Sequence, residues 1–90
     1  MKHLTIHIYG HVQGVFFRAH TQELARELGV RGYIRNEPDG SVHIEAEGDE
    51  ASLKEFVEWC HKGPPSARVT RLQSHEGVLE GYGDFEIYHH

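Results

Sequence analysis

An α+β sandwich with the element order β-α-β-β-α-β and one extra short strand is the fold this 90-residue sequence predicts. Three observations carry the prediction. Residues 4–9 and 42–47 alternate apolar with polar side chains, the period of a half-buried strand. Residues 18–28 and 49–62 space their apolar side chains as helix faces. Glycine, proline and asparagine clusters fall between these runs, where turns are needed.

The first strand is expected over about Leu4–Val12, with Leu4, Ile6 and Ile8 on one side and Thr5, His7 and Tyr9 on the other. A loop around Gly14 leads to a helix from about Arg18 to Leu28, whose face is Leu24, Ala25 and Leu28 and which Gly29 can end. A second strand is expected over Arg31–Asn36. In the segment Asn36-Glu-Pro-Asp-Gly40, Pro38 sets φ and Asp39-Gly40 accepts a left-handed step, so the chain can reverse. The third strand then alternates Val42, Ile44 and Ala46 with His43, Glu45 and Glu47. Asp49 is the expected N-cap of the second helix, which turns Leu53, Phe56, Val57 and Cys60 to one side and stops at Gly63-Pro64-Pro65. Residues 67–72 and 83–88 predict two further short strands around a glycine-rich 77–83 segment. Assembled, this is a ferredoxin-like arrangement: a five-stranded antiparallel sheet with both helices on one face. Leu4, Ile6, Ile8, Val42, Ile44, Phe85 and Ile87 are expected to meet the helices, and His3, Thr5, His7, His43, Glu45 and Glu47 to face water.

Composition narrows the function. The length suits a single domain over residues 1–90. Nine Lys and Arg against fourteen Asp and Glu give a formal charge of −5, a poor match for a nucleic-acid backbone. One focused positive pocket can still take a small anion. The single cysteine, Cys60, permits no internal disulfide and no four-thiolate metal site, which favours a reducing, cytoplasmic setting. No apolar run approaches the length of a membrane span, and Met-Lys-His-Leu-Thr lacks a signal-peptide core. A monomer is expected because one core consumes most of the apolar residues.

Residues 10–18, Gly10-His-Val-Gln-Gly-Val-Phe-Phe-Arg18, place two glycines and an arginine between strand and helix. A turn there can aim several backbone N–H groups at one point, because a helix start leaves its first donors unpaired and successive turn amides form an anion-binding concavity. The Arg18 guanidinium can then engage two oxygens of a phosphate at once. Because the first crossover returns the chain alongside its starting strand, Asn36 is expected within range of Arg18.

This stretch resembles the first signature of the acylphosphatase family. Gly32-Tyr-Ile-Arg-Asn36, Gly40-Ser-Val42 and Gly48 resemble the second signature, with Ile34 where a smaller Ala, Val or Cys is usual, a departure that touches packing. Gly63-Pro-Pro-Ser-Ala-Arg-Val69 and Gly83-Asp-Phe-Glu-Ile87 extend the similarity over nearly the full chain. The resemblance implies hydrolysis of a small acyl phosphate to a carboxylate and inorganic phosphate, with no cofactor and no metal. It implies Arg18 as the catalytic arginine and Asn36 as the residue that positions the attacking water. It also implies a phosphate-binding loop of Gln13, Gly14, Val15, Phe16 and Phe17 acting through backbone amides with Arg18.

Each residue also has a plainer reading. The side chains of Val15, Phe16 and Phe17 are expected to seat the loop against the core. Arg18 could instead pair with Glu23, and Asn36 could simply cap its turn. Nine histidines invite a metal, and His7, His43 and Glu45 should be neighbours, yet no local ligand spacing defines a site. Gly81-Tyr-Gly-Asp-Phe85 has a faint likeness to an RNA-binding strand, but Asp84 interrupts it and no basic, aromatic platform accompanies it. A noncatalytic anion sensor on the same fold would use Arg18 and the loop equally well, and Asn36 is the feature that separates it from a hydrolase.

Overall fold

The computed structural model describes residues 1–89, with His90 outside the described residues. The order is β1 (Lys2–His11), α1 (Phe17–Leu28), β2 (Arg31–Asn36), β3 (Val42–Gly48), α2 (Glu50–Lys62), β4 (Arg68–Gly77) and β5 (Phe85–Tyr88). One sheet contains all five strands in the spatial order β4-β1-β3-β2-β5. The ferredoxin-like sandwich expected from the sequence is present, and β1, β2 and β3 lie within two residues of their expected bounds.

The sheet is antiparallel where β1 meets β3 and β4 and where β2 meets β3. The edge strand β5 is the exception and runs parallel to β2, opposing Gly32 to Phe85 and Arg35 to Tyr88. Strand direction then locates a site: β1 and β2 are both antiparallel to β3, and β5 is parallel to β2, so all three finish at the same end of the sheet. The chain following His11, the side chain of Asn36 and the segment following Tyr88 therefore gather there.

Alternation decides what fills the core. Leu4, Ile6 and Ile8 oppose Ala46, Ile44 and Val42 across the β1–β3 ladder. Ile6, Ile8, Val42, Ile44 and Ala46 are buried with Phe17 and Ala25 of α1, Leu53, Phe56 and Cys60 of α2, and Phe85 of β5. Each fully buried phenylalanine stabilises the fold by about 1.5–3 kcal/mol. The helix-facing residues are thus those expected, with Leu4 and Ile87 partly buried at the margin.

Three expectations need correction, and a fourth, the N-cap at Asp49, holds without its side-chain bond. β4 continues to Gly77, beyond the predicted end near residue 72, because β1 extends back to Lys2 and offers it a partner as far as His3. The second face of the sheet is not simply open to water: His3, His43 and Glu47 are buried. The 78–84 segment folds across it, with the Glu80 and Gly81 amides donating to the Glu47 carboxylate, the latter at 3.0 Å, and the Tyr82 ring 6.1 Å from His3. Asp49 stands at the N-cap of α2 in extended conformation, but its side chain makes no capping bond, and it is its carbonyl that accepts from Leu53 N–H at 2.9 Å. Finally, α1 begins at Phe17 and its N-cap is Phe16, a residue with exposed rather than core-packed side chain.

Candidate active site

The β1–α1 loop is shaped by two left-handed residues separated by one. Gly14 has φ 73°, and a Cβ there would meet no atom within 4 Å, so glycine answers the backbone conformation rather than protein crowding. Its open flank leaves the main chain approachable from outside. Phe16 has φ 62° and ψ 20° and is the one non-glycine residue with positive φ among the described residues. That conformation costs a large L-residue about 1–2 kcal/mol. Between them Val15 is buried, and after them Phe17 is buried against Trp59, ring centroids 5.6 Å apart. The loop is thus pinned to the core at Val15 and Phe17, while Gly14 and Phe16 face outward.

A second anchor comes from Gln13. Its side-chain amide donates to the carbonyls of Glu37 and Ser41, both at 2.8 Å, and so ties the loop to the β2–β3 turn that carries Asn36. Asp39 closes that turn by accepting from the Ser41 N–H at 2.9 Å and from the Ser41 hydroxyl. Thr21, buried in α1, returns its hydroxyl to the Phe17 carbonyl at 2.7 Å. The sequence motif marked Gln13 only as a loop residue, and nothing local predicted that its side chain bridges two segments.

Arg18, in the first turn of α1, donates to the Tyr88 carbonyl at 3.2 Å, and its guanidinium lies 3.3 Å from His89 Nδ1. It has no carboxylate partner among the described residues, so the expected alternative of a Glu23 pair is not found. The nearby Glu37 carboxylate is engaged elsewhere, 3.0 Å from Arg35 and 3.7 Å from His43. Asn36 projects from the end of β2, and its Oδ1 is buried without a hydrogen-bond partner among the described residues. An orphaned carbonyl oxygen in a cleft is costly unless something donates to it.

Two adjoining cavities share Arg18, Asn36 and His89. One, of about 320 Å³, is lined otherwise by Val12, Gly14, Phe16, Phe17, Ala19 and Ile87. The other, of about 380 Å³, is completed by Gln13, Glu37 and Pro38. The structure therefore brings Gln13, Gly14, Phe16, Phe17, Arg18 and Asn36 to one place and keeps Val15 beneath them as support. Cys60 is buried in the core, where desolvation pushes its thiol pKa up, and it takes no part. His7 and His43 are neighbours, with ring centroids 4.7 Å apart, but His43 is bonded to Glu45 at 2.5 Å, and no group of three or more ligating side chains is arranged for a metal among the described residues.

Main-chain donors, one cation and one amide can hold a phosphoryl group and a water, while the Glu37 carboxylate that also lines the cleft is tied to Arg35 and the His89 ring lies against Arg18. Such equipment suits phosphoryl transfer to water from a leaving group that departs unaided. The fold and site together define a small phosphoryl hydrolase. The acylphosphatase family model matches residues 4–87. An acylphosphatase of Thermotoga petrophila is 52% identical over 87 residues, 97% of each chain, and one of Thermococcus kodakarensis is 45% identical over 89 residues, 97% of this chain and 98% of the other. The crystal structure of acylphosphatase from Bacillus subtilis superposes with a TM-score of 0.96 at 39% identity, covering 99% of this chain and 100% of that one. The chain belongs to the acylphosphatase family, and its activity is the hydrolysis of acyl phosphates to a carboxylate and inorganic phosphate.

Proposed function

We propose that Arg18 and the backbone amides of residues 13–17 bind the phosphoryl group of a small acyl phosphate while Asn36 positions the attacking water. The observation that carries this reading is the buried, unpartnered Oδ1 of Asn36, in a cleft it shares with an arginine that has no acid partner among the described residues. A water donating to that oxygen satisfies it and turns a lone pair toward phosphorus. The water oxygen forms the new bond to phosphorus as the bond between phosphorus and the acyl oxygen breaks. The carboxylate leaves with the electron pair of that bond, and the water proton passes to a phosphoryl oxygen, giving dihydrogen phosphate. A carboxylate of low pKa needs no general acid, which is why no titrating side chain has to stand opposite Asn36. Charge spread over the equatorial phosphoryl oxygens is met by donors that do not move.

Chain residues 1–90 act in this reading as one domain and as a monomer, with no cofactor, nucleic-acid partner or metal. Among the described residues no helix is long and apolar enough to cross a membrane. A cytoplasmic location is supported by the single, buried Cys60 and the lack of any need for a disulfide.

The test is a steady-state assay on acetyl phosphate in chelator-treated buffer, with folded Arg18→Ala and Asn36→Ala beside the parent. Arg18→Ala should impair KM and kcat together, since both the bound substrate and the transition state lose the cation. Asn36→Ala should lower kcat by roughly a hundredfold with little change in KM, the scale expected of a misplaced reactant. Normal turnover by Asn36→Ala would remove the water-positioning role, and loss of parental activity on chelation, restored by a metal ion, would remove the metal-free mechanism.

A further inference from the structure

We propose that the Phe16 side chain is a platform for the acyl group and sets a preference for acyl phosphates with apolar, especially aromatic, acyl groups. This inference rests on the placement of phosphate against Arg18 and the loop amides given above. A left-handed position in a loop is filled without strain by glycine and readily by asparagine, yet the residue here is phenylalanine, the one non-glycine residue with positive φ among the described residues. Its ring does not compensate by packing, for Phe16 is 76% exposed while its neighbours Val15 and Phe17 are 7% and 1% exposed. Folding therefore gains nothing visible from the ring, and its use lies with something that comes to the site.

The cavity beside it says what that is. Around the shared Arg18, Asn36 and His89, one cavity is walled by the apolar side chains of Val12, Phe16, Ala19 and Ile87, and the adjoining one by Gln13, Glu37 and Pro38. Water belongs with the polar wall, and the acyl group that departs from phosphorus with the apolar one. Among the described residues no carboxylate or lysine side chain lines the apolar cavity to recognise an aminoacyl ammonium or to reward a sugar-like acyl chain, whereas an exposed aromatic face suits an aryl or alkyl group by stacking and apolar burial.

The experiment compares kcat/KM for benzoyl phosphate and acetyl phosphate in the parent, Phe16→Asn, Phe16→Tyr and Arg18→Ala, with a thermal melt of each. Any general disturbance of the phosphate loop falls on both substrates and cancels in their ratio. Phe16→Asn should lower the benzoyl-to-acetyl ratio roughly 2- to 12-fold, the range of a single aromatic contact, while its Tm stays level or rises as the left-handed strain is relieved. Phe16→Tyr, which keeps the ring, should retain the parental ratio. Arg18→Ala should depress both substrates and leave the ratio in place. An unchanged ratio in Phe16→Asn beside a damaged Arg18→Ala refutes the platform alone. Full activity of Arg18→Ala on both substrates refutes the phosphate site on which it stands. A marked fall in the Tm of Phe16→Asn shows that the ring supports the fold and also overturns the inference.

Discussion

Replacing His3 should destabilise the protein severely and make its stability rise with acid between pH 6 and 4.5, where the three paired groups of the parent contribute evenly. His3 sits on the sheet face away from the helices, with Nδ1 2.6 Å from Glu47 and Nε2 2.6 Å from Glu45. Its side chain is only 5% exposed, and those of Glu47 and Glu45 are 4% and 14% exposed. Burial opposes the charge on His3, but its bonds to Glu47 and Glu45 outweigh that and hold its pKa above the ordinary 6.5. Burial likewise opposes ionisation of the glutamates. Donors from Thr5, His3 and His43 outweigh it at Glu45, and donors from Glu80, His3 and Gly81 at Glu47, so both stay below the ordinary 4.5. The His3 contribution is complete below pH 6.5 and is lost as pH rises through its raised folded value; the glutamate contribution is complete above pH 4.5 and is lost as pH falls through their lowered values. The contribution of these three groups is thus greatest between pH 4.5 and 6.5. Removing one partner of a buried ionic pair costs about 3–5 kcal/mol, against a total of roughly 5–13 kcal/mol for a domain of this size. His3→Ala should lower Tm by roughly 12–40 °C at pH 6. Without the imidazolium, Glu45 and Glu47 repel each other in a buried site and their pKa values rise. The folded state then binds protons more readily than the unfolded one, and stability increases on acidification from pH 6 toward 4.5. Urea denaturation across that interval measures both effects, with His3→Gln as the milder variant that keeps a polar amide without the charge. A loss under 1 kcal/mol, or a His3→Ala stability that fails to rise as pH falls from 6 to 4.5, would refute the argument.

Gln13→Ala should lower Tm by several degrees and kcat more steeply than KM, because two 2.8 Å bonds between the phosphate loop and the turn bearing Asn36 disappear together. Unaltered kcat would show that the loop and Asn36 hold their spacing without that bridge. Titration with inorganic phosphate should shift the amide resonances of residues 14–18 before those of any other segment. Shifts confined to another surface would move the anion site away from Arg18.

The site was more legible in the sequence than the sheet around it. Arg18, Gly14 and the loop are neighbours in the chain, so a single motif describes their shared conformation, and Asn36 follows from the return of the chain after α1. Strand pairing is a different matter. The alternation in β1 and β3 tells which residues share a face, but the parallel partnership of β5 with β2 brings Gly32 opposite Phe85 across most of the chain, and no local signal announces it. Period two also says nothing of what covers a face. His3, His43 and Glu47 read as water-facing because their alternation is sound, and they are buried because the irregular 78–84 segment folds over them. The same limit applies to Phe16: its place between two core-packed residues suggested a third, and only the backbone turn at φ 62° sends it outward.

Labour is divided between one end of the sheet and the face away from the helices. At the end where β1, β2 and β5 finish, the groups to which the proposed mechanism assigns the work are main-chain amides, an amide side chain and a guanidinium, none of which changes charge between mildly acid and mildly alkaline pH. The titrating residues His3, His43, Glu45 and Glu47 are gathered instead on the face away from the helices, where they bond to one another and Glu47 accepts from the amides of the 78–84 segment. That segment leads into β5, and β5 ends at the Tyr88 carbonyl that receives Arg18. Fixed donors suit a reaction whose leaving group needs no acid, and fixed donors depend on a scaffold that holds them still.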